Sequence, residues 1–143
     1  MIAVIAGVLL SLVLILLART RGPAGAIRIY ALGLVVTALL YVLLAVMGGA
    51  SASYLALEGV GVLIFASAAW IGVRGWVKVL ALGWVLHVAW DLLLHLQGSA
   101  SEYTPWWWPW FCLSFDLIIA AAVLLEERRL DGEPLRGGPV GLL

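Results

Sequence analysis

Long apolar stretches separated by short polar breaks are the main pattern along the chain. Five of them reach the roughly 17–25 residues that a helix needs to cross the hydrocarbon core of a bilayer. In chain order they cover residues 2–18, 31–48, 54–73, 79–96 and 106–125. The pattern predicts an all-α integral membrane bundle of five transmembrane helices.

A polar segment, residues 126–143, follows the fifth apolar stretch. It carries Pro134, Pro139 and several glycines, a composition typical of a disordered tail. No proline interrupts a predicted span, since all five lie between spans or just at their edges. We therefore expect a transmembrane domain over residues 1–125 and a disordered tail over residues 126–143.

The composition agrees with a membrane protein. Hydrophobic residues make up 65% of the 143 residues and charged residues 11%, whereas soluble domains contain about 45–50% and 25%. A small chain cannot bury such an excess in its own core. Equal numbers of basic and acidic residues argue against nucleic acid as a partner. The single cysteine, Cys112, excludes an internal disulfide framework.

The basic residues predict the orientation of the bundle. All of them lie between spans one and two, between spans three and four, or in the tail: Arg19, Arg21, Arg28, Arg74, Lys78, Arg128, Arg129 and Arg136. Residues 49–53 and 97–105 contain none. The positive-inside rule then predicts an outside N-terminus and a cytoplasmic C-terminus. Because charges follow the first apolar stretch instead of preceding it, we interpret that stretch as a retained span and not as a secretory signal.

Five ionisable residues lie inside the predicted spans, where no Lys or Arg accompanies them: Glu58, His87, Asp91, His95 and Asp116. A charge at bilayer depth is costly, and such residues usually face the bundle interior and mark a functional site. With the predicted orientation, all five lie in the outer half of the membrane or near its middle. If the helices turn them toward one another, they form a polar pocket near the outer leaflet.

Span four contains the most regular pattern of polar residues. His87, Asp91 and His95 recur every four residues, which places them on one helix face, and Trp84 extends that face by a turn. Asp91 can accept a hydrogen bond from the imidazole of His87 or of His95, and this bond would fix the tautomer of that ring. Trp84 and Trp90 lie inside the span, where they could line a substrate pocket together with His95, although packing alone also explains Trp90.

The same region resembles a known family. The resemblance rests on Gly83-Trp84, His87, Trp90-Asp91 and His95 in span four, followed by Cys112 and Asp116 in span five. These spacings are similar to those of small multi-spanning bacterial membrane proteins of unknown function. Leu94 departs from the pattern, because the first of two paired histidines is expected there. The resemblance implies the bacterial inner membrane as the location, and it implies no activity.

Three hypotheses about function remain open, and the sequence does not decide whether the protein is an enzyme. The first is acid–base chemistry on a lipid or isoprenoid-like substrate. In that case Asp91 or Asp116 is the acid, His87 the proton relay, and Glu58 a further catalytic candidate.

The second hypothesis is a metal site. His87, Asp91, His95 and Asp116 form a mixed nitrogen and oxygen ligand set that suits zinc, iron or manganese. The sequence itself requires no cofactor. The third hypothesis is a non-enzymatic role as a binding protein or accessory subunit, with membrane lipids, a second copy or a larger membrane complex as the partner.

Overall fold

The computed structural model describes residues 1–96 and 99–132, and they form five long helices. These are α1 (Ile2–Arg19), α2 (Gly22–Met47), α3 (Ala52–Val73), α4 (Val77–Trp90) and α5 (Trp108–Gly132). A π-helical segment, Asp91–Leu96, continues α4, and a 3-10 turn, Ser99–Glu102, precedes α5. Each helix, with α4 counted to Leu96, is long and apolar enough to cross a membrane. The prediction of an all-α fold with five candidate spans is confirmed.

Two helices extend beyond the predicted apolar spans. α2 begins at Gly22, with Pro23 in its first turn, where the missing N–H of proline has no helical partner to lose. α5 continues to Gly132, so residues 126–132, assigned to the disordered tail by the sequence, are helical. Glu126 explains this extension, because it is buried and bonded to two arginines. The rest of the predicted tail, residues 133–143, lies outside the described residues.

The helices form a closed bundle in which the first and last are neighbours. α1 packs mainly against α5, and α2 packs mainly against α3. α4 lies between α3 and α5, while α2 also touches α1 and α5. Large apolar side chains of α1 and α3 remain exposed on the outside of the bundle, as expected for surfaces that face lipid.

The bundle has two chemically different ends. The basic end holds all the Lys and Arg residues that the structure describes, because they lie at or near the α1–α2 and α3–α4 connections and the end of α5. Arg19 Nε lies 3.1 Å from Glu126 Oε1 there, which ties α1 to α5. At the opposite end, Met1 shares an apolar recess with Trp106 and Trp107.

Small side chains allow α1 to approach α5 closely. A Cβ atom on Gly7 would overlap the carbonyl oxygen of Phe111 and the hydroxyl of Ser114. Ser114 Oγ donates a hydrogen bond of 3.0 Å to the carbonyl of Val4 across the same contact. Close backbone approach at small residues is a common way for transmembrane helices to pack.

Candidate functional site

Three ionisable side chains meet between α4 and α5, and we call them the polar triad: His87, Asp91 and Asp116. All three are fully buried. His87 Nδ1 lies 2.8 Å from Asp116 Oδ2 and 3.6 Å from Asp91 Oδ2. One potential ligand atom from each residue lies within 4.8 Å of the other two. The triad therefore brings one imidazole and two carboxyl groups into one small volume.

Several polar atoms of the triad make no hydrogen bond to any residue that the structure describes. These atoms are both carboxyl oxygens of Asp91, Oδ1 of Asp116 and Nε2 of His87. A buried polar atom without a partner costs about 1–3 kcal/mol, and native proteins contain few of them. The triad therefore has bonding capacity left over on Asp91, where the Tyr41 hydroxyl and the Cys112 thiol are close enough to interact with the carboxyl group.

The charges of the triad also need a partner. With a neutral imidazole and two carboxylates, the triad carries a charge of −2. The described Lys and Arg residues all lie near the basic end, so none of them neutralises it. A buried charge without a partner is strongly unfavourable. The triad becomes neutral when it takes up either two protons or one divalent cation.

Glu58 and His95 form a second polar group, which we call the Glu58–His95 pair. His95 Nε2 lies 3.2 Å from Glu58 Oε1. Glu58 accepts hydrogen bonds from the hydroxyl of Tyr103 (2.7 Å) and from Nε1 of Trp90 (3.3 Å). Nδ1 of His95 lies 3.0 Å from the hydroxyl of Thr104. The pair therefore joins α3 and the π-helical segment to the segment before α5.

The hydrogen bonds indicate how the pair carries its protons. The Thr104 hydroxyl donates to the carbonyl of Ala100 at 3.2 Å, so it accepts from Nδ1–H of His95. Both oxygens of Glu58 accept from neutral donors, which favours the carboxylate form. Unlike the triad, the pair needs only one proton between Glu58 and His95 to be neutral.

Tyr103 remains a hydrogen-bond donor to this pair over a wide pH range. Burial, together with the neighbouring Glu58 carboxylate, raises the pKa of the Tyr103 hydroxyl above its usual range. Its ring also packs edge-on against His95, with 5.9 Å between ring centroids. Tyr103 thus fixes the position of Glu58 from outside the spans.

The π-helical segment explains why the predicted stripe of His87, Asp91 and His95 divides into two groups. A π-turn closes hydrogen bonds from residue i to residue i+5, so each residue advances around the axis by less than in an α-helix. His95 follows Asp91 within this segment. Its side chain consequently turns toward Glu58 instead of lying above Asp91, and it is not among the three grouped potential metal ligands. π-Bulges occur often at functional sites.

Tyr41 on α2 connects the two groups, and sequence reasoning missed it. Its ring stacks on His95, with 3.9 Å between centroids, and lies 5.7 Å from the ring of His87. Its hydroxyl lies 3.9 Å from Sγ of Cys112. Phe65 on α3 closes the other side of His87 with an edge-on contact at 4.8 Å. The sequence did offer one signal for Tyr41, which is a polar hydroxyl in the middle of an apolar span.

The two tryptophans predicted to line a pocket have different surroundings. Trp84 is fully buried in the apolar core, where its ring lies 5.9 Å from Phe115 and faces Gly33. Trp90 donates to Glu58 and packs over Gly61, where an added Cβ would come within 2.9 Å of the ring. Trp90 therefore combines packing with a polar contact, and Trp84 belongs to the core.

The space beside the site differs on its two sides. Between α2, α3 and α4, a crevice lined by Tyr41, Glu58 and His87 is too narrow to admit a water-sized sphere. Between α1, α2 and α5, an apolar groove of about 390 Å³ has Cys112 in its lining. The larger free volume next to the site thus faces the outside of the bundle.

Comparison with known protein families gives one result. Residues 2–129 match the family of unknown function DUF6010. The chain belongs to this family. The match covers α1 to α4, most of α5, the polar triad and the Glu58–His95 pair, and it confirms the expectation of a family without an established function. Searches of curated proteins and of solved structures each found no match.

Proposed function

We propose that this protein is an integral membrane protein that binds one divalent metal ion at the polar triad. The observation that carries this proposal is the convergence of His87, Asp91 and Asp116 at a buried site, with one potential ligand atom from each within 4.8 Å of the others. The three side chains come from two packed helices, which supports a site that is largely formed before a metal ion binds.

A metal ion accounts for the triad better than protons alone. Two added protons neutralise the charge, but they leave both oxygens of Asp91 without a hydrogen bond of 3.5 Å or less to a described residue. A divalent cation neutralises the charge and bonds Asp91 at the same time. For this reason we place the metal ion between Asp91 and the His87–Asp116 contact.

The ligand set indicates the class of metal. One imidazole nitrogen and two carboxylate oxygens suit Zn²⁺, Mn²⁺ or Fe²⁺, whereas Ca²⁺ and Mg²⁺ favour oxygen ligands. Three protein ligands leave a position for water or a substrate, as in catalytic zinc sites. A metal ion at such a site can polarise a substrate oxygen or lower the pKa of a bound water.

Metal uptake requires a small change at the triad. Ligand atoms around a tetrahedral zinc ion lie about 3.4 Å apart, given bonds of about 2.0–2.1 Å. His87 Nδ1 and Asp116 Oδ2 lie 2.8 Å apart, which is a hydrogen-bond distance. The metal ion would replace the proton between these atoms while they separate by about half an ångström.

Elemental analysis of the purified protein tests this proposal. We expect about one metal ion per chain in the wild type after equilibration with Zn²⁺ and removal of free metal. Asp91→Asn and Asp116→Asn should each retain less than a tenth of that amount, because each loses an anionic ligand. Glu58→Gln is the matched control, since it removes a buried acid outside the triad and should retain the metal.

Circular dichroism and gel filtration of each variant establish that the helices have formed. Folded Asp91→Asn and Asp116→Asn proteins with wild-type metal content would refute the site. A wild type that retains no metal after equilibration would refute it as well.

The hydrogen bond between His87 and Asp116 favours a second candidate, which is metal-free acid–base chemistry on a lipid or isoprenoid-like substrate. Asp116 would orient the imidazole of His87 as a base, and Asp91 would serve as the acid. Lipid profiles of cells that produce each Asp→Asn variant test this activity. If the purified enzyme still converts the affected lipid after a chelator removes metal, this candidate is favoured, while loss of conversion on chelation favours the metal centre.

A further inference from the structure

We propose that the groove between α1, α2 and α5 binds one hydrocarbon chain of a membrane phospholipid and holds it beside the polar triad. We call this space the lateral groove, and its lining includes Leu14, Ile29, Val36, Cys112 and Phe115. The inference goes beyond the proposed function, because it assigns a ligand to a surface outside the triad.

The chemistry of the lining favours a hydrocarbon. Almost every side chain in the lateral groove is aliphatic or aromatic. Thr37 is the hydroxyl-bearing residue there, and its hydroxyl donates to the carbonyl of Leu34 in its own helix at 2.9 Å. A polar headgroup would therefore find little to bond, whereas an alkyl chain would match the surface.

The length of the groove is comparable to that of one acyl chain. Its α2 lining extends from Ile29 to Leu40, a distance of about 16 Å at 1.5 Å per residue. This is about half of a hydrocarbon core that is roughly 30 Å thick. The volume of about 390 Å³ also lies within the range of specific ligand sites. A second copy of the chain would instead need a broad, continuous surface.

Cys112 places the groove next to the triad. Its side chain is buried, it belongs to the groove lining, and it lies one helical turn before Asp116 on α5. Its Sγ atom is 3.9 Å from the hydroxyl of Tyr41, whose ring lies 5.7 Å from that of His87. A chain in the groove would thus be separated from the triad by the Cys112 and Tyr41 side chains.

A substitution that fills the groove tests the inference, with a matched control on the same helix. Val36 lines the groove and is 45% exposed, while Leu39 is 48% exposed and does not line it. In native mass spectrometry of detergent-purified protein, we expect wild type and Leu39→Trp to retain one phospholipid per chain. Val36→Trp should retain at least tenfold less, because the indole occupies the groove.

A photoreactive phospholipid with a diazirine in the middle of one acyl chain provides a second measurement that needs no variant. In vesicles that contain this lipid, crosslinks to the wild type should concentrate on groove residues such as Leu32 and Phe115. Crosslinks spread evenly over exposed α1 and α3 residues would overturn the inference. Equal lipid retention by folded Val36→Trp and Leu39→Trp proteins would overturn it too. So would a wild type that is a lipid-free dimer and becomes monomeric in the Val36→Trp variant, because the groove would then be a contact between two copies of the chain.

The same preparations separate this inference from the metal proposal. Val36→Trp should lose lipid and retain Zn²⁺, whereas Asp116→Asn should lose Zn²⁺ and retain lipid. A wild-type protein that retains Zn²⁺ but no lipid would contradict the groove alone. A wild-type protein that retains lipid but no Zn²⁺ would contradict the metal site alone.

Discussion

Asp91 and Asp116 are the residues that would make the proposed metal binding depend on pH. The triad is neutral with either two protons or one divalent cation, so a metal ion that binds there would displace two protons. Protons therefore compete with the metal, and binding must weaken as the pH falls.

We expect the apparent Kd for Zn²⁺ to rise about a hundredfold for each pH unit lowered, since each displaced proton contributes about tenfold. Competition titration against a chromogenic chelator in detergent measures this slope. An affinity independent of pH would contradict the proton count.

Glu126 is the other residue whose burial has a measurable effect. It is fully buried and accepts from Arg19 Nε at 3.1 Å and from Arg129 Nη1 at 3.2 Å. Glu126→Gln should lower the free energy of unfolding by about 1–2 kcal/mol, because the charged hydrogen bonds weaken while the partly exposed arginines regain water. Thermal melting in detergent measures this loss, with Glu127→Gln as the adjacent control. Equal melting temperatures for both variants would show that the Arg19–Glu126 contact does not stabilise the bundle.

These residues differ in how far the sequence could identify them. The acids and histidines within the spans were identifiable, because polar groups in apolar stretches must be buried together to be stable. Glu126 was not, because it follows directly after an apolar run and resembles the neighbouring Glu127. Only the approach of Arg19, which is 107 positions away, shows that it is buried. Tyr41 was missed because its contacts with His87 and His95 depend on the rotation of α2.

At the scale of elements, the contact between α1 and α5 depends on one small residue. A Cβ atom on Gly7 would meet backbone of α5 at Phe111, and a backbone atom cannot move aside as a flexible side chain can. Gly7→Ala should therefore separate the two helices and destabilise the bundle by about 1–3 kcal/mol.

Gly59→Ala on α3 is the control, because no described atom beyond its own stretch of helix backbone lies within 4 Å of the position of its added Cβ. This variant should be as stable as the wild type or up to about 1 kcal/mol more stable, since alanine favours a helix. Thermal melting of the two variants in the same detergent compares them. If the melting temperature of Gly7→Ala equals or exceeds that of Gly59→Ala, α1 and α5 can move apart without loss of stability.

The existence of the helices was predictable, and some of their details were not. Apolar length alone predicts five spans, but it underestimates α2, whose first turns contain Gly22, Gly25 and Arg28. The π-helical segment has no distinctive composition, since Leu92, Leu93 and Leu94 suit an α-helix equally well. The division between the polar triad and the Glu58–His95 pair follows from that segment, so it could not be deduced from residue spacing.

At the scale of the whole molecule, the separation of charge leads to a topology that can be tested. All described Lys and Arg residues lie near the basic end, and we propose that this end is cytoplasmic. In a Cys112→Ser background, Ser51→Cys should react with a membrane-impermeant maleimide added to intact spheroplasts. Thr20→Cys should react only after the membrane is permeabilised. The reverse labelling pattern would show that the basic end lies outside.

Hydropathy predicts which segments enter the membrane, but it carries no information about which helices become neighbours. That arrangement depends on close contacts such as Gly7 against α5 and on polar bonds between distant residues. The sequence therefore predicted the number of candidate spans and the polar residues within them, and it left open the closed ring and the groove between α1, α2 and α5.

The pairing of α1 with α5 has a consequence for biosynthesis. Of the five helices, α1 leaves the ribosome first and α5 last, so α1 must wait in the membrane without its main partner until α5 is inserted. Asp116 and Glu126 arrive with α5, so the triad and the Arg19 contact both form late. Until then His87, Asp91 and Arg19 lack these contacts, and a chain stalled before α5 would be a natural substrate for membrane quality-control proteases.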